Sequence, residues 1–414
     1  MDWLSGKSRV SRVRGSRMRG RVALLSAVAV AAAGLVACVP QPTAGISCAW
    51  PNIANQDSLN VAYPDASATY FTTPYQLAPG QTLVIDGEYP FARYSSLHTY
   101  SLTGAIVDHL TDTDIAPLPG SDNPSTNAAA SLDPAERKWT VQVSADLVPG
   151  AGSATNSLAA TASPGSTAFG SVILRVYVPN TPGDLTGGVA LPALSVRSAT
   201  GTVTPIAQCA TASADTSVVG LINAFGPATD IPATDPPVFK RPLSVGGLYA
   251  NSDNAYVAAI AAYQPGKVVV IRGKAPTTPD TMNGESAASP TELRYWSICS
   301  NEYRKPYPVT ACGYDHQIPL DANGYYTLVV STPGERPVNA TTPNAVFWLD
   351  WGSTAVNTLI IARHMLPATT FVESVQALAL GQAASPQMGA FAPLAASCTV
   401  ATFEDGGAAA CGLT

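Results

Sequence analysis

Four histidines and a few clustered carboxylates are the residues through which this 414-residue chain could do acid–base or metal chemistry. The densest acidic stretch is Asp108-His109-Leu110-Thr111-Asp112-Thr113-Asp114. On an extended chain alternate residues share a face, so Asp108, Asp112 and Asp114 are candidate oxygen ligands for a structural Ca²⁺; a solvated acidic loop is the plainer expectation. Tyr314-Asp315-His316 keeps one carboxylate beside one imidazole, which makes Asp108, His109, Asp315 and His316 the acid–base candidates. No H-E-x-x-H, G-x-S-x-G, G-x-x-x-x-G-K-S/T or G-x-G-x-x-G occurs, so zincin, α/β-hydrolase, P-loop and Rossmann readings lose their anchors. A Ser-His-Asp triad drawn from distant strands stays compatible, because triads are recognised by geometry and not by order.

Aromatic residues concentrate in the second half. Tyr303, Tyr307 and Trp351 sit among Pro, Lys, Asp and Gly and are expected to face solvent, where they could stack on sugar faces, whereas Trp296 and Trp348 are expected to pack in cores. Arg93, Arg175, Arg294 and Arg363 lie in apolar runs, where an unpaired guanidinium is costly, and internal ion pairs are expected for them.

Seven cysteines divide into one and six. Lys7 and six arginines precede the uncharged run Val22–Ala37, which reads as the n-region and h-region of a signal peptide. The run falls short of the roughly 20 residues of a comfortable membrane span. It ends in Leu35-Val36-Ala37-Cys38, which resembles the bacterial lipobox, whose cysteine is acylated and becomes the mature N-terminus. Several acyl chains on Cys38 would anchor the protein stably to the outer face of the cell membrane, and Val39-Pro40-Gln41-Pro42-Thr43 would be a stiff tether. The six remaining cysteines pair best as neighbours, Cys299 with Cys312 and Cys398 with Cys411, which leaves Cys48 to Cys209. An exported address favours disulfides over zinc, and no C-x-x-C is present.

Net charge is −6, from 22 basic and 28 acidic residues. Loss of residues 1–37 removes seven basic residues and one acidic residue, leaving −12. That balance argues against nucleic acid as a partner, since phosphate backbones are held by clustered Lys and Arg. With 46% hydrophobic and 12% charged residues the chain is expected to fold, and 35 prolines and 33 glycines scattered without a period point to many turns between short strands.

Those strands come in two matching series. Pro79-Gly80-Gln81-Thr82-Leu83-Val84-Ile85-Asp86-Gly87 answers to Pro265-Gly266-Lys267-Val268-Val269-Val270-Ile271-Arg272-Gly273, 186 positions on. Lys138–Ser144 answers to Tyr325–Ser331 at 187 and Arg175 to Arg363 at 188, while Arg93-Tyr94-Ser95-Ser96-Leu97 answers to Arg294-Tyr295-Trp296-Ser297-Ile298 at 201, the excess falling in a polar insertion 277–290. Each segment is a β-branched or aromatic run bounded by turn residues. The expected organisation is a signal peptide 1–37, a tether 38–47, a first β-sandwich 48–225, a Pro-rich linker 226–242 and a second β-sandwich with a C-terminal extension 243–414, with short amphipathic helices at 215–225 and 370–380.

The landmarks resemble an uncharacterised bacterial family of exported β domains, marked by an aromatic-Trp-Ser-Leu strand, an Asp-Gly turn, an Asn-Trp-Leu segment and a closing Arg-x-Tyr-x-Pro strand. The second half carries Tyr295-Trp296-Ser297-Ile298, Asn323-Gly324, Phe347-Trp348-Leu349 and Arg363-His364-Met365-Leu366-Pro367; the first half ends in Arg175-Val176-Tyr177-Val178-Pro179. The resemblance implies a jelly-roll-like sandwich and carries no catalytic residues with it. The expectation is an all-β, exported, lipid-anchored envelope protein that binds glycan or another envelope ligand, or serves structurally; the alternative is an envelope hydrolase acting on an ester or glycan at the domain interface.

Overall fold

A computed structural model describes residues 46–150, 156–226, 233–243 and 248–414. The leader, Cys38, the tether to residue 45 and linker residues 227–232 lie outside the described residues.

The first half contributes β1 (Asn52–Ala54), β2 (Ala68–Leu77), β3 (Thr82–Glu88), β4 (Ala92–Ser101), β5 (Ile106–Thr111), β6 (Lys138–Ser144), β7 (Ser157–Ala159), β8 (Ala168–Pro179), β9 (Ala193–Arg197) and β10 (Val203–Ile206), then α1 (Ser217–Phe225). The second contributes β11 (Asn254–Ala261), β12 (Lys267–Lys274), β13 (Leu293–Glu302), β14 (Val309–Tyr314), β15 (Tyr325–Ser331), β16 (Phe347–Asp350), β17 (Thr358–Pro367) and β18 (Leu394–Thr399), then α2 (Val400–Ala410). Each half is a sandwich of two sheets. Orders β1-β2-β8-β4-β5 and β10-β9-β3-β6-β7 in the first become β11-β17-β13-β14 and β18-β12-β15-β16 in the second.

Register shows the duplication residue by residue. Ser96 lies opposite Arg175 as Ser297 lies opposite Arg363, and β4–β5 and β13–β14 both bulge two pairs beyond Ser96–Leu97 and Ser297–Ile298, between Thr99 and Tyr100 and between Ser300 and Asn301. Val84 and Val270 occupy equivalent places on β3 and β12, between residues that enter the two cores: Leu83 and Ile85, Val269 and Ile271. Gly87 lies opposite Trp139 and Gly273 opposite Tyr326, and a Cβ at either glycine would collide with the facing ring, which is why both halves retain glycine there.

The central strands β4, β8, β13 and β17 are buried along nearly their whole length, on both faces. One face of each pair packs its own core, through Leu97, Val172 and Leu174 in the first half and Ile298, Ile360 and Ala362 in the second. The other faces meet across a third cluster, Tyr94, Tyr177, Val178, Tyr295 and Met365, so that the sandwiches join in one compact unit. Alternation along β4 therefore sends Tyr94, Ser96 and His98, all buried, to the face opposite Leu97, away from water without placing them in the first core.

The three expected disulfides form: Cys48–Cys209, Cys299–Cys312 and Cys398–Cys411, each within one half. The helix expected at 215–225 is α1. The one expected at 370–380 is corrected: that stretch holds only a 3₁₀ turn, Val375–Ala377, and Phe371, Val375 and Leu378 are pressed into the core as a plug. The second helix is instead α2, capped by the Thr399 hydroxyl, kinked at Gly406-Gly407, and laid by Phe403 over Val268, Val270 and Val329. The two adjacent glycines inside the helix are tolerated because this packing holds it.

Candidate functional site

The polar groups of the chain gather where the two sheets face each other, and they are arranged in reciprocal pairs. Arg93 on β4 donates from Nη1 to both oxygens of Asp315, each at 2.8 Å, and its Nε reaches the Thr281 hydroxyl at 3.1 Å. The equivalent Arg294 on β13 donates to Asp112 at 3.3 and 3.4 Å. Arg175 Nη2 donates to the Tyr249 carbonyl at 2.8 Å, and Arg363 Nη2 donates to the Tyr63 carbonyl at 2.7 Å.

Tyr63 and Tyr249 mark two short straps that precede β2 and β11. Each strap crosses to the other sandwich: Tyr63 N donates to the Tyr307 carbonyl and Tyr249 N to the Gly104 carbonyl, both at 2.9 Å. Both tyrosines take a left-handed backbone with φ of 57°, an uncommon conformation for a non-glycine residue that recurs here at matching positions. Beyond them, Asp65 accepts from Tyr295 Oη at 2.8 Å and from Ser297 Oγ at 2.7 Å. Across the pseudo-twofold, Tyr94 Oη donates to Asn251 Oδ1 at 3.2 Å and to Asp253 Oδ2 at 2.6 Å. The rings of Tyr70 and Tyr256 support Arg175 and Arg363 at 5.6 and 5.7 Å.

These strap residues escaped the sequence reading, although Tyr63-Pro64-Asp65 and Tyr249-Ala250-Asn251 recur at the same 186-residue spacing as the strands. The expectation of internal ion pairs holds for Arg93 and Arg294, and Arg363 lies 3.7 Å from Asp65. Arg175 departs from it, facing carbonyls and rings instead of a carboxylate.

The acid–base candidates are spent on separate partners. Asp108 accepts backbone N–H groups of His109, Gly150 and Ala159. Asp315 is committed to Arg93, and burial, outweighing the arginine's pull, holds its pKa above the usual carboxylate value; the same holds for Asp112 beside Arg294. His316 Nδ1 lies 3.1 Å from Asp280 on the surface. His109 stacks on His98 at 5.1 Å between centroids, and its Nε2 is 3.8 Å from Asp253, beyond hydrogen-bond reach. His98 is fully buried; its Nε2 accepts from Ser252 N at 3.2 Å and burial drives its pKa well down, so it is neutral.

Two expectations are corrected. Asp108, Asp112 and Asp114 form neither a calcium site nor a solvated acidic loop: Asp108, buried on β5, accepts from backbone donors, buried Asp112 pairs with Arg294, and only Asp114 is exposed, accepting from Thr111 N. Among the described residues, the group that brings three potential ligands within 4.8 Å is Asp65 with Cys299 and Cys312, whose sulfurs are already bonded to each other. Tyr303, Tyr307 and Trp351 do not face solvent, with exposures of 7%, 1% and 4%. Tyr307 stacks on Tyr63 at 4.6 Å and Trp351 meets Tyr263 edge-on inside the second core. The hydrophilic neighbours of these rings suggest exposure, but the opposing strap covers Tyr307. Trp296 is in the core as expected, and Trp348 is partly covered by Arg336. A slot between the sheets of the first sandwich, lined by Tyr89, Leu97, Trp139, Leu174 and Val176, has room for about one water molecule and not for a sugar ring.

No protein-family model and no curated protein matches the sequence. Among solved structures the chain is similar to a putative uncharacterized protein from Burkholderia cenocepacia, at 14% identity and a TM-score of 0.47 over 85% of this chain and 82% of that one. It is also similar to the VPA0106 protein from Vibrio parahaemolyticus, at 10% identity and a TM-score of 0.40 over 80% of this chain and 89% of that one.

Proposed function

We propose that this is an exported, lipid-anchored envelope protein in which two fused sandwiches act as one rigid binding or structural module, with glycan or another envelope component as its ligand. The observation that carries the reading is the fate of the candidate catalytic groups: Asp108 and Asp315 are consumed by buried donors, and neither His109 nor His316 is brought to a nucleophile by any contact among the described residues. A catalytic acid or base needs a free face toward a substrate. The lipobox-like Leu35-Val36-Ala37-Cys38 and three disulfides support an oxidising, extracytoplasmic address, as does the resemblance to exported β domains.

Fractionation of cells carrying Cys38→Ala tests the anchor. The variant is expected to leave the membrane fraction or accumulate uncleaved, and a correctly cleaved Cys38→Ala protein retained on membranes overturns the reading. Cosedimentation of the soluble form with isolated cell-wall polysaccharide tests the ligand class. Turnover of ester or glycan substrates that disappears in His316→Ala returns the hydrolase alternative.

A further inference from the structure

The first half shows that its β4–β5 hairpin closes without a disulfide. His98 stands directly opposite His109 at the register where Cys299 stands opposite Cys312, and both hairpins continue past that pair with the same bulge. The Cys299–Cys312 bridge spans 13 residues of a hairpin already held by its ladder, so loop closure alone gives a weak reason for it.

Three groups converge on these sulfurs. Arg363 Nη1 donates to Cys299 Sγ at 2.8 Å, Ala66 N donates to Cys312 Sγ at 3.4 Å, and the Asp65 carboxylate lies within 4.8 Å of both. The two cysteines differ: Cys299 is a fully buried residue beside the Arg363 guanidinium, whereas Cys312 is a partly buried one. In thiol–disulfide exchange a thiolate attacks one sulfur and expels the other, faster when the departing thiolate is stabilised, and an adjacent cation stabilises it.

We propose that Cys299–Cys312 is a thiol-exchange site whose co-substrate is a dithiol. A thiolate of the dithiol attacks Cys312 Sγ, the protein S–S bond breaks, and its electron pair leaves on Cys299 Sγ beside Arg363. The second thiol of the dithiol, deprotonated, then attacks the mixed disulfide at its own first sulfur and releases Cys312. The protein bridge gains two electrons and, on protonation, two protons, and the dithiol becomes a disulfide. Asp65 and Ala66 belong to the strap that the first half lays across the second, so exchange here alters the grip between the halves.

The test uses the full oxidised chain under native conditions. Glutathione followed by iodoacetamide and peptide mapping is expected to place glutathione on Cys312 and the alkyl group on Cys299. Glutathione on Cys299, or no exchange at this bridge before tryptophan fluorescence reports unfolding, overturns the proposal. With dithiothreitol, Arg363→Gln is expected to slow reduction of this bridge by about tenfold while Cys398–Cys411 in the same molecules keeps its rate. An unchanged or faster rate also overturns it, since a merely loosened fold would expose the sulfurs. The trapping result on the unaltered protein stands whether or not the variant folds.

Discussion

Asp65, on the first strap, has Asn251 as its counterpart on the second, where the carboxylate comes two residues later as Asp253. The two ends of one pseudo-twofold interface are thus built on the same backbone path with different chemistry. At one end Asp65 serves Tyr295, Ser297 and Arg363 beside a disulfide. At the other, Asn251 and Asp253 serve Tyr94 beside a stacked pair of imidazoles, and Arg175 relies on carbonyls and tyrosine rings. What the duplication preserves is where polar groups are placed; the demand is met unevenly, since Nε and Nη1 of Arg175 and Nδ2 of Asn251 have no hydrogen-bond partner among the described residues.

The largest expected effect separates the two cross-interface ion pairs. Arg93 is 1% exposed and bidentate to Asp315, so Arg93→Ala leaves a buried carboxylate unpaired and is expected to cost about 3–5 kcal/mol in urea denaturation. Arg294 is 10% exposed with longer contacts, and Arg294→Ala is expected to cost about half as much. Equal losses would mean that the two ends are energetically alike despite their geometry. Next, Asp65→Asn is expected to cost about 2–3 kcal/mol, because one amide cannot accept from all of Tyr295, Ser297 and Arg363, whereas Asn251→Ala should cost only about 1 kcal/mol, because the Tyr94 hydroxyl keeps Asp253 as its acceptor. Comparable effects at both positions would erase the asymmetry.

The double variant His98→Cys/His109→Cys transplants one end's chemistry to the other. Equivalent register predicts that a fourth disulfide forms, visible as the absence of new alkylatable thiols, with a net stability change below about 1 kcal/mol, because the ladder already closes this hairpin and the imidazole contacts are lost. Free thiols in the folded variant would show that the two hairpins differ in geometry.

A comparably small effect is on pH. Burial pushes His98 well below its usual pKa and brings His364 down to about 3, so both are neutral in the folded protein. The unfolded chain takes up protons near pH 6.5 and the folded one does not, so this stability is complete above about pH 6.5 and is lost as pH falls toward the folded values. Each histidine is expected to cost about 1 kcal/mol over the first pH unit below that point, and His98→Gln should remove one share of the slope. An unchanged slope would place a charged His98 in the interface.

Much of the fold can be read directly because it depends on local rules. Val84 and Val270, Arg175 and Arg363, and the paired glycines Gly87 and Gly273 are found by spacing, since strand alternation turns spacing into facing. The site was harder to read. Tyr303, Tyr307 and Trp351 have polar neighbours in the chain, and their burial comes from elements far away in sequence, the strap at Tyr63 and the ring of Tyr263. Asp112 and Asp114 share strand parity, yet Asp112 is drawn to an arginine 182 residues away. The segment 370–380 has a helical pattern of apolar residues, but the open end of the second core takes those side chains as a plug.

Residue order alone thus determined the strands, the duplication and the three disulfides, because alternation, turn chemistry and cysteine spacing act over a few residues or repeat visibly along the chain. The tertiary structure decided which buried polar groups meet. Arg93 chooses Asp315, Arg363 chooses the Tyr63 carbonyl and Asp65 reaches Tyr295 only once two sandwiches press face to face, because in that buried seam an unpaired polar group is costly and the nearest partner lies in the other half.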